Sequence, residues 1–399
     1  MKQLPLLCTA VLVTAAMAQE PQLRSEKSDL LDLQRQKSSA EYDKLKKSWL
    51  APIELRGSYT QSSEASSQMD VTTKRASAKL DQNIFRSGGI VYAVRYAQSV
   101  ERLTSLGIDA GEAKLYEQLY SALLNYRRIS LLLRQSHTRL ENSDIEIRIR
   151  RERYEAGEID ITYLNSAIMN KNSESYNFVT LRGDLHEAKL TLATYTAEDP
   201  SSIALPEFTL LDEAAFLDEN LELKQAKEQI INAEYLRKTT RSQYLPKVAL
   251  NAEIGYIDNE HDNSAMTYSG RYDSVGVTAS IPLDINMFST LEEAKLAHLV
   301  AQAQHLDKRR EQQYAYKKQQ NRTQEFRERV EVTKRNIALY EELEEYTKEQ
   351  VITGYKTELD LLMIQNSLAI QRLEEQIQQL NIQQELIKLH FATLASVKG

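Results

Sequence analysis

One cysteine occurs among the 399 residues, Cys8, and it lies in the opening stretch. Past that stretch the chain can form no disulfide, thiolate nucleophile or thiolate metal site. Proline and glycine are also scarce, 7 and 12 in all, and between Ser289 and Lys398 there is no proline and a single glycine, Gly354. Such avoidance of helix breakers points to long helices. No later segment reaches the roughly 18 consecutive apolar residues of a membrane-spanning helix. If the chain crosses a membrane, it must do so with strands. The formal net charge of -7 argues against nucleic acid as a partner. The six histidines are scattered, and His298 and His305, seven apart, are too distant to share a metal ion without other ligands. "RSGG" at 86–89 lacks the Lys-Ser/Thr of a phosphate loop. Most carboxylates are interleaved with Lys and Arg, as on solvated coiled-coil faces. No catalytic, cofactor or metal site is expected, and no enzyme.

The opening "MKQLPLLCTAVLVTAAMAQE" has a charged start at Lys2, an apolar run from Leu4 to Val13 and a small-residue cleavage motif at Ala16-Met17-Ala18. Residues 1–18 are expected to be a secretory signal peptide, with the mature chain starting at Gln19. Cys8 follows Leu7 rather than the small residue that a lipoprotein signal needs, so lipid attachment is not expected.

Prolines divide the rest. Stretches 53–199 and 283–399 lack proline, and "AEDPSSIALPEF" at 197–208 joins two halves that align with each other. "AEYDKLKKSWLAP" (40–52) answers "AEYLRKTTRSQYLP" (233–246). "SAKLDQNIF" (77–85) answers "SIPLDINMF" (280–288), and "YEAGEIDITYL" (154–164) answers "VITGYKTELDL" (351–361). The expected plan is a first repeat over 19–199, a linker over 200–213 and a second repeat over 214–399. Each repeat reads helix, strand, strand, long helix, glycine, helix.

In the second repeat, strands are expected at about 247–257 and 272–284. Val248, Leu250, Ala252, Ile254 and Tyr256 alternate, as do Val275, Val277, Ala279, Ile281 and Leu283. In the first, strands are expected at about 52–60 and 72–84, the latter on the strength of its partner because "VTTKRASAKL" is polar. Helical hairpins follow, at about 86–196 and 289–395. Leu373, Leu380, Ile387 and Leu394, with Ile370, Ile377 and Phe391, form a heptad seam. Phe178, Leu185 and Leu192, with Leu181, Ala188 and Tyr195, form its counterpart. At about 1.5 Å per residue, 289–353 would make a rod of roughly 98 Å, which the helices at 355–395 and about 214–243 would match end to end. Gly354 and Gly157 stand where each chain path must reverse, and glycine takes the positive φ of a helix end without penalty. Gly107 and Gly111, one turn apart in a helix, suggest close helix packing or a local break.

Residues 307–329, "DKRREQQYAYKKQQNRTQEFRER", contain no Val, Ile, Leu or Met and twelve charged residues. A helix polar on nearly all sides fits a water-filled wall or a solvated arm, not a solid core. Four strands cannot close a membrane barrel, which needs about eight, so they must pair across copies of the chain. Residue physics does not choose between two, three or four copies.

The duplicated unit, the Leu-Pro entry into a strand ("YLPKVAL"), the strand ending "SIPLD" and the glycine followed by Asp-Leu after the longest helix together resemble the TolC family of outer-membrane efflux proteins. The resemblance runs over essentially the whole mature chain. It implies a mainly α protein with a small β part, forming a homotrimer: a twelve-stranded transmembrane β-barrel in the outer membrane over an α-helical barrel reaching into the periplasm. It implies passive export of drugs, metals or proteins by tripartite efflux or type I secretion, with a periplasmic adaptor (membrane fusion) protein and an inner-membrane transporter as partners and outer-membrane lipid around the barrel.

Carried over residue by residue, the resemblance puts Gly157 and Gly354 at the two tip turns where adaptors dock. It puts Asp360 at the pore constriction, and Lys356 and Thr162 at the contact that holds the tip closed. Met363 and Tyr163 depart from the family's acidic pattern, so a double acidic ring and an acidic latch are not expected. Tyrosine outnumbers phenylalanine, 21 to 7, and Tyr59, Tyr256, Tyr268 and Tyr272 at strand ends are expected to sit at the membrane interface. The competing reading is a non-channel periplasmic coiled-coil adaptor or scaffold. An adaptor normally has one hairpin between β-rich modules, whereas this chain has two hairpins and little β.

Overall fold

In the computed structural model, the described residues are 21–64, 69–261 and 267–393. The proposed signal peptide lies outside them. The element order is α1 (Ser25–Lys46), β1 (Ile53–Glu64), β2 (Met69–Phe85), α2 (Gly89–Glu155), α3 (Ile161–Ala193), α4 (Glu213–Glu219), α5 (Leu221–Gln243), β3 (Lys247–His261), β4 (Tyr268–Ser280), α6 (Met287–Ile352) and α7 (Glu358–His390). The protein is mainly α with a small antiparallel sheet. The two long helices, α2 and α6, have 67 and 66 residues. They last that long because nothing inside them breaks the hydrogen-bond ladder. Gly107 and Gly111 sit within α2 without interrupting it, and neither is needed for close packing. A Cβ at Gly107 would meet only ordinary van der Waals contact, and one at Gly111 would meet nothing.

Several expected boundaries move: β1 runs on to Glu64 and β3 to His261, and β4 starts at Tyr268. The helix expected over about 214–243 is two, α4 and α5, because Asn220 leaves helical geometry and caps α5, its side chain accepting from Leu223 N at 3.0 Å. Short amide side chains favour such caps over helix interiors. Strand β4 stops at Ser280 rather than 284. Pro282 lacks the N–H that the ladder needs. The matching segment in the first repeat has no proline, and β2 continues to Phe85. The polar VTTKRASAKL segment is a full strand.

The chain forms two compact units, and neither is a sequence repeat. The first takes Ala113–Asp212 and Tyr316–Phe391 together with the described start of the chain to Asp29. The second takes Leu30–Glu112, Glu213–Ala315 and the last described residues from Ala392. Each unit therefore draws on both repeats, and the division falls inside α2 and α6.

The core of the first unit is helical. Ile377, Ile387 and Phe391 of one heptad seam and Ala188 and Leu192 of the other are buried, while Leu373, Leu380, Phe178 and Leu185 are half-buried. The linker Phe208 stacks edge-on to Tyr120 (centroids 5.6 Å apart) and to Phe391 (5.9 Å), pinning the linker between α2 and α7. Along the polar part of α6, Tyr316 is buried and its hydroxyl donates to Leu211 O at 2.7 Å; most of its neighbours face solvent.

In the second unit the four strands form one antiparallel sheet in the order β1-β2-β3-β4. The central pairing, β2 with β3, joins the hairpins of the two repeats. Its register shifts between Asn83 and Phe85, an irregularity at the end that leads into α2.

Candidate functional site: an amphipathic sheet and two helical turns

Strand pairing decides which side chains share a face, since partners directly opposite point the same way. The row Ile53, Leu80, Ala252 and Val275 crosses all four strands. With it on one face lie Leu55, Ala78, Ile254, Tyr256, Leu250, Val277, Val248 and Ala279. This apolar face is bare: Leu55 is 84% exposed, Val275 76% and Val277 69%. Toward the loop ends of the strands, Lys74 closes the band, paired with Glu260 at 2.8 Å and Asp258 at 3.8 Å. The band also slants. On β1 it runs from Ile53 to Tyr59; on β4 it starts at Val275 and continues past the strand as Ile281 and Leu283. A stagger of this kind is what strands tilted by roughly 35–45° in a membrane barrel produce.

The opposite face is polar and hydrogen-bonded to itself. Arg75 Nε donates to Tyr272 Oη at 2.5 Å and its Nη2 to Glu253 Oε1 at 2.9 Å, while the Tyr272 hydroxyl donates to the same carboxylate oxygen at 2.7 Å. Asn251 bridges Asp81 (2.6 Å) and Thr278 (2.7 Å), and Lys79 pairs with Asp81 at 2.8 Å. An apolar face that no helix covers among the described residues, behind a satisfied polar face, has the two-sided character of a barrel wall between lipid and water. The outer edges of β1 and β4 have no neighbour among the described residues, and unpaired edges of this length need one.

The same register corrects one expectation. Tyr59 and Tyr256 lie on the apolar face, as an interface aromatic should. Tyr268 and Tyr272 lie on the polar face, and Tyr272 is part of the arginine–carboxylate network rather than of a lipid-facing belt.

The two turns, both in the first unit, share one geometry. Gly157 has φ +76°; its N–H bonds Tyr154 O at 2.9 Å, and Glu158 N bonds Arg153 O at 2.9 Å. Gly354 has φ +78°, with Gly354 N to Val351 O at 3.1 Å and Tyr355 N to Gln350 O at 2.9 Å. This pair of bonds is the Schellman closure of a helix, which satisfies carbonyls that the helix would otherwise orphan. A Cβ would find nothing within 4 Å at either glycine, so backbone conformation, not crowding, calls for glycine. Each returning helix begins on its own cap: Asp160 accepts from Thr162 N at 2.8 Å, and Thr357 caps α7. Large apolar side chains stand bare around the turns, among them Tyr163, Ile352 and Tyr355.

Asp360 is half-buried on the first turn of α7. Its Oδ2 accepts from Thr357 N at 3.0 Å and Thr357 Oγ1 at 2.8 Å, while Asp360 N donates back to Thr357 Oγ1 at 3.2 Å. This is a reciprocal capping box. Burial pushes its pKa up, but the two hydrogen bonds from Thr357 and the charges of Lys356 and Arg153 outweigh it, leaving the carboxyl below its ordinary value. Asp160 is likewise held low by its bonds to the Thr162 backbone and side chain. Lys356 and Thr162 both lie at the turns, but among the described residues no hydrogen bond joins them: Thr162 is engaged with Asp160, and Lys356 is exposed.

Thr357 and the Arg75–Glu253–Tyr272 network were not singled out from the sequence. The first was legible, since Thr-x-x-Asp before an apolar run is a capping-box signature. The second was not, because it joins residues nearly 200 positions apart. Among the described residues there is no cluster of histidine, cysteine and carboxylates that could hold a metal ion, and no helix long and apolar enough to cross a membrane.

Residues 214–393 match the family of outer membrane efflux proteins. No curated protein matches the chain by sequence. Its fold is similar to that of the CmeC outer membrane channel of Campylobacter jejuni, with 16% identity, a TM-score of 0.72 and coverage of 92% of this chain and 83% of that one. It is also similar to the outer membrane protein VceC of Vibrio cholerae, at 18% identity and TM-score 0.71 over 94% and 93% of the two chains. The open-state MtrE outer membrane channel of Neisseria gonorrhoeae gives 14% identity and TM-score 0.68 over 92% and 86%. The second repeat thus matches the outer membrane efflux protein family, and the described chain has the fold of these outer membrane channels.

Proposed function

We propose that the chain is one subunit of a homotrimeric exit duct in the outer membrane that extends into the periplasm and exports its cargo passively. In this reading three four-stranded sheets close edge to edge into a twelve-stranded barrel, and a periplasmic adaptor protein links the duct to an inner-membrane transporter, in drug or metal efflux or type I secretion. The carrying observation is the sheet: open at both edges, bare on its apolar face and hydrogen-bonded on its polar one. A coiled-coil adaptor or scaffold in the periplasm would leave that apolar face in water, at a cost of about 25 cal/mol per Å². Transport rather than catalysis is its activity.

At the tip, the turns at Gly157 and Gly354 and the bare side chains beside them are the adaptor's docking points. Asp360 narrows the pore, where one carboxylate per subunit around the axis would repel anions and attract cations. Lys356 and Thr162 hold the tip closed through contacts between hairpins of neighbouring subunits. Tyr59 and Tyr256 anchor the barrel at the membrane interface.

The test is extraction of the mature protein from outer-membrane fractions and reconstitution in planar bilayers. A heat-sensitive trimer with discrete conductance steps supports the duct. A monomer that stays in solution without detergent and leaves bilayers silent overturns it.

A further inference from the structure

The first unit carries a solvent-open cavity of about 1080 Å³, between the linker and helices α2, α6 and α7. Its volume is at the upper end of small-molecule sites, which run roughly 300–1,000 Å³. Leu131, Leu205, Leu380 and Leu386 supply an apolar floor, and Arg127, Arg134 and Arg327 stand around it.

Elsewhere in the chain, Arg102 meets a carboxylate, that of Glu228, at 2.7 Å. Among the described residues, none of the three cavity arginines has an ion pair, and Glu207, which also lines the cavity, pairs with none of them. Arg127 is half-buried and its Nη2 donates to Ile203 O at 2.5 Å, a carbonyl rather than an anion. Burial lowers its pKa from the ordinary value with no neighbouring charge to offset it. A desolvated cation without a counter-charge is costly, and a bound anion would remove the cost.

We infer that this cavity binds a small amphipathic anion, a carboxylate on an apolar body, with its head among Arg127, Arg134 and Arg327 and its body on the leucine floor. Guanidinium groups suit a carboxylate because they can offer it two parallel donors. Since the walls come from the linker and three helices, an occupant would tie the linker to them. The inference does not depend on the duct reading, and a ligand here need not be cargo.

The test is isothermal titration of the mature protein in nanodiscs with dodecanoate, against empty nanodiscs and against dodecanol as the uncharged control. One saturable site per chain for dodecanoate, at least tenfold weaker for dodecanol, is expected. Arg134→Ala with Arg327→Ala, both on exposed positions, should weaken dodecanoate at least tenfold while the protein keeps its oligomeric state on gels. Equal binding of acid and alcohol overturns the inference, as does an unchanged affinity in the double variant. Absence of any saturable site in the assembled protein also overturns it, since another subunit would then fill the cavity. Conductance in bilayers tests the duct separately, so either idea can fail alone.

Discussion

Thr357 and Asp360 hold each other: the threonine hydroxyl accepts from the aspartate N–H, and the aspartate carboxylate accepts from the threonine N–H and hydroxyl. The residue proposed to narrow the pore is therefore also a structural cap, and two substitutions separate the roles. Asp360→Asn retains an acceptor for the cap but removes the charge. It should reduce block by multivalent cations in planar bilayers, with little change in stability. Thr357→Ala should cost about 1 kcal/mol in helix stability while keeping the charge. If both variants conduct and block as the parent does, Asp360 is a cap only.

Gly354→Ala places a side chain at φ +78° with open space around it. The cost is backbone strain alone, roughly 1–2 kcal/mol. It should speed hydrogen exchange of the amides around the turn, and Gly354→Asn should do so less because asparagine tolerates this conformation. Gly157 should behave alike, since its turn has the same bonds.

The two faces of the sheet should respond oppositely to charge. Val277→Arg on the apolar face should lower barrel stability by about 2–4 kcal/mol if the position lies near the bilayer midplane. Ser274→Arg, on the polar face of the same strand, should be tolerated. Urea titration of the protein folded into lipid vesicles measures both. Equal penalties would mean that the apolar face is not against lipid.

Arg75→Ala removes the cation that bonds both Glu253 and Tyr272. The polar face then gains one net negative charge per chain. Reversal potentials in a salt gradient should move toward greater cation selectivity if that face lines the lumen.

Glu234 on α5 gives a pH signature. Hydrogen bonds from Arg237, opposed by burial and aided by Lys238, hold its pKa at about 2. Because the folded value is depressed from 4.5, the contribution to stability is complete above about 4.5 and is lost as pH falls toward 2. Glu234→Gln should flatten the acid limb of the stability curve over that window. Carboxyl chemical shifts that titrate near 4.5 would refute the assignment.

The helices and their turns were legible because their causes are local. Gly354 stands alone in a long helix-forming stretch, and the turn there is decided by neighbours within a few residues. The break at Asn220 was missed although its cap is also local, because one asparagine in an otherwise helical window is a weak signal until its partners Leu223 and Gln312 are known. The strand "VTTKRASAKL" was legible only through its repeat partner, since its polar side chains are satisfied by residues far along the chain.

By itself the sequence determined the repeat, the two hairpins and the alternation of the strands, all properties of residues close along the chain. Only the tertiary structure decided that both alternating sets in the second repeat share one face, that Tyr272 turns from it, and that each compact unit mixes the two repeats. The physical reason is register. A slip of one residue between β2 and β3 would exchange the faces, and that register is set by pairings across some 180 residues that no local pattern encodes.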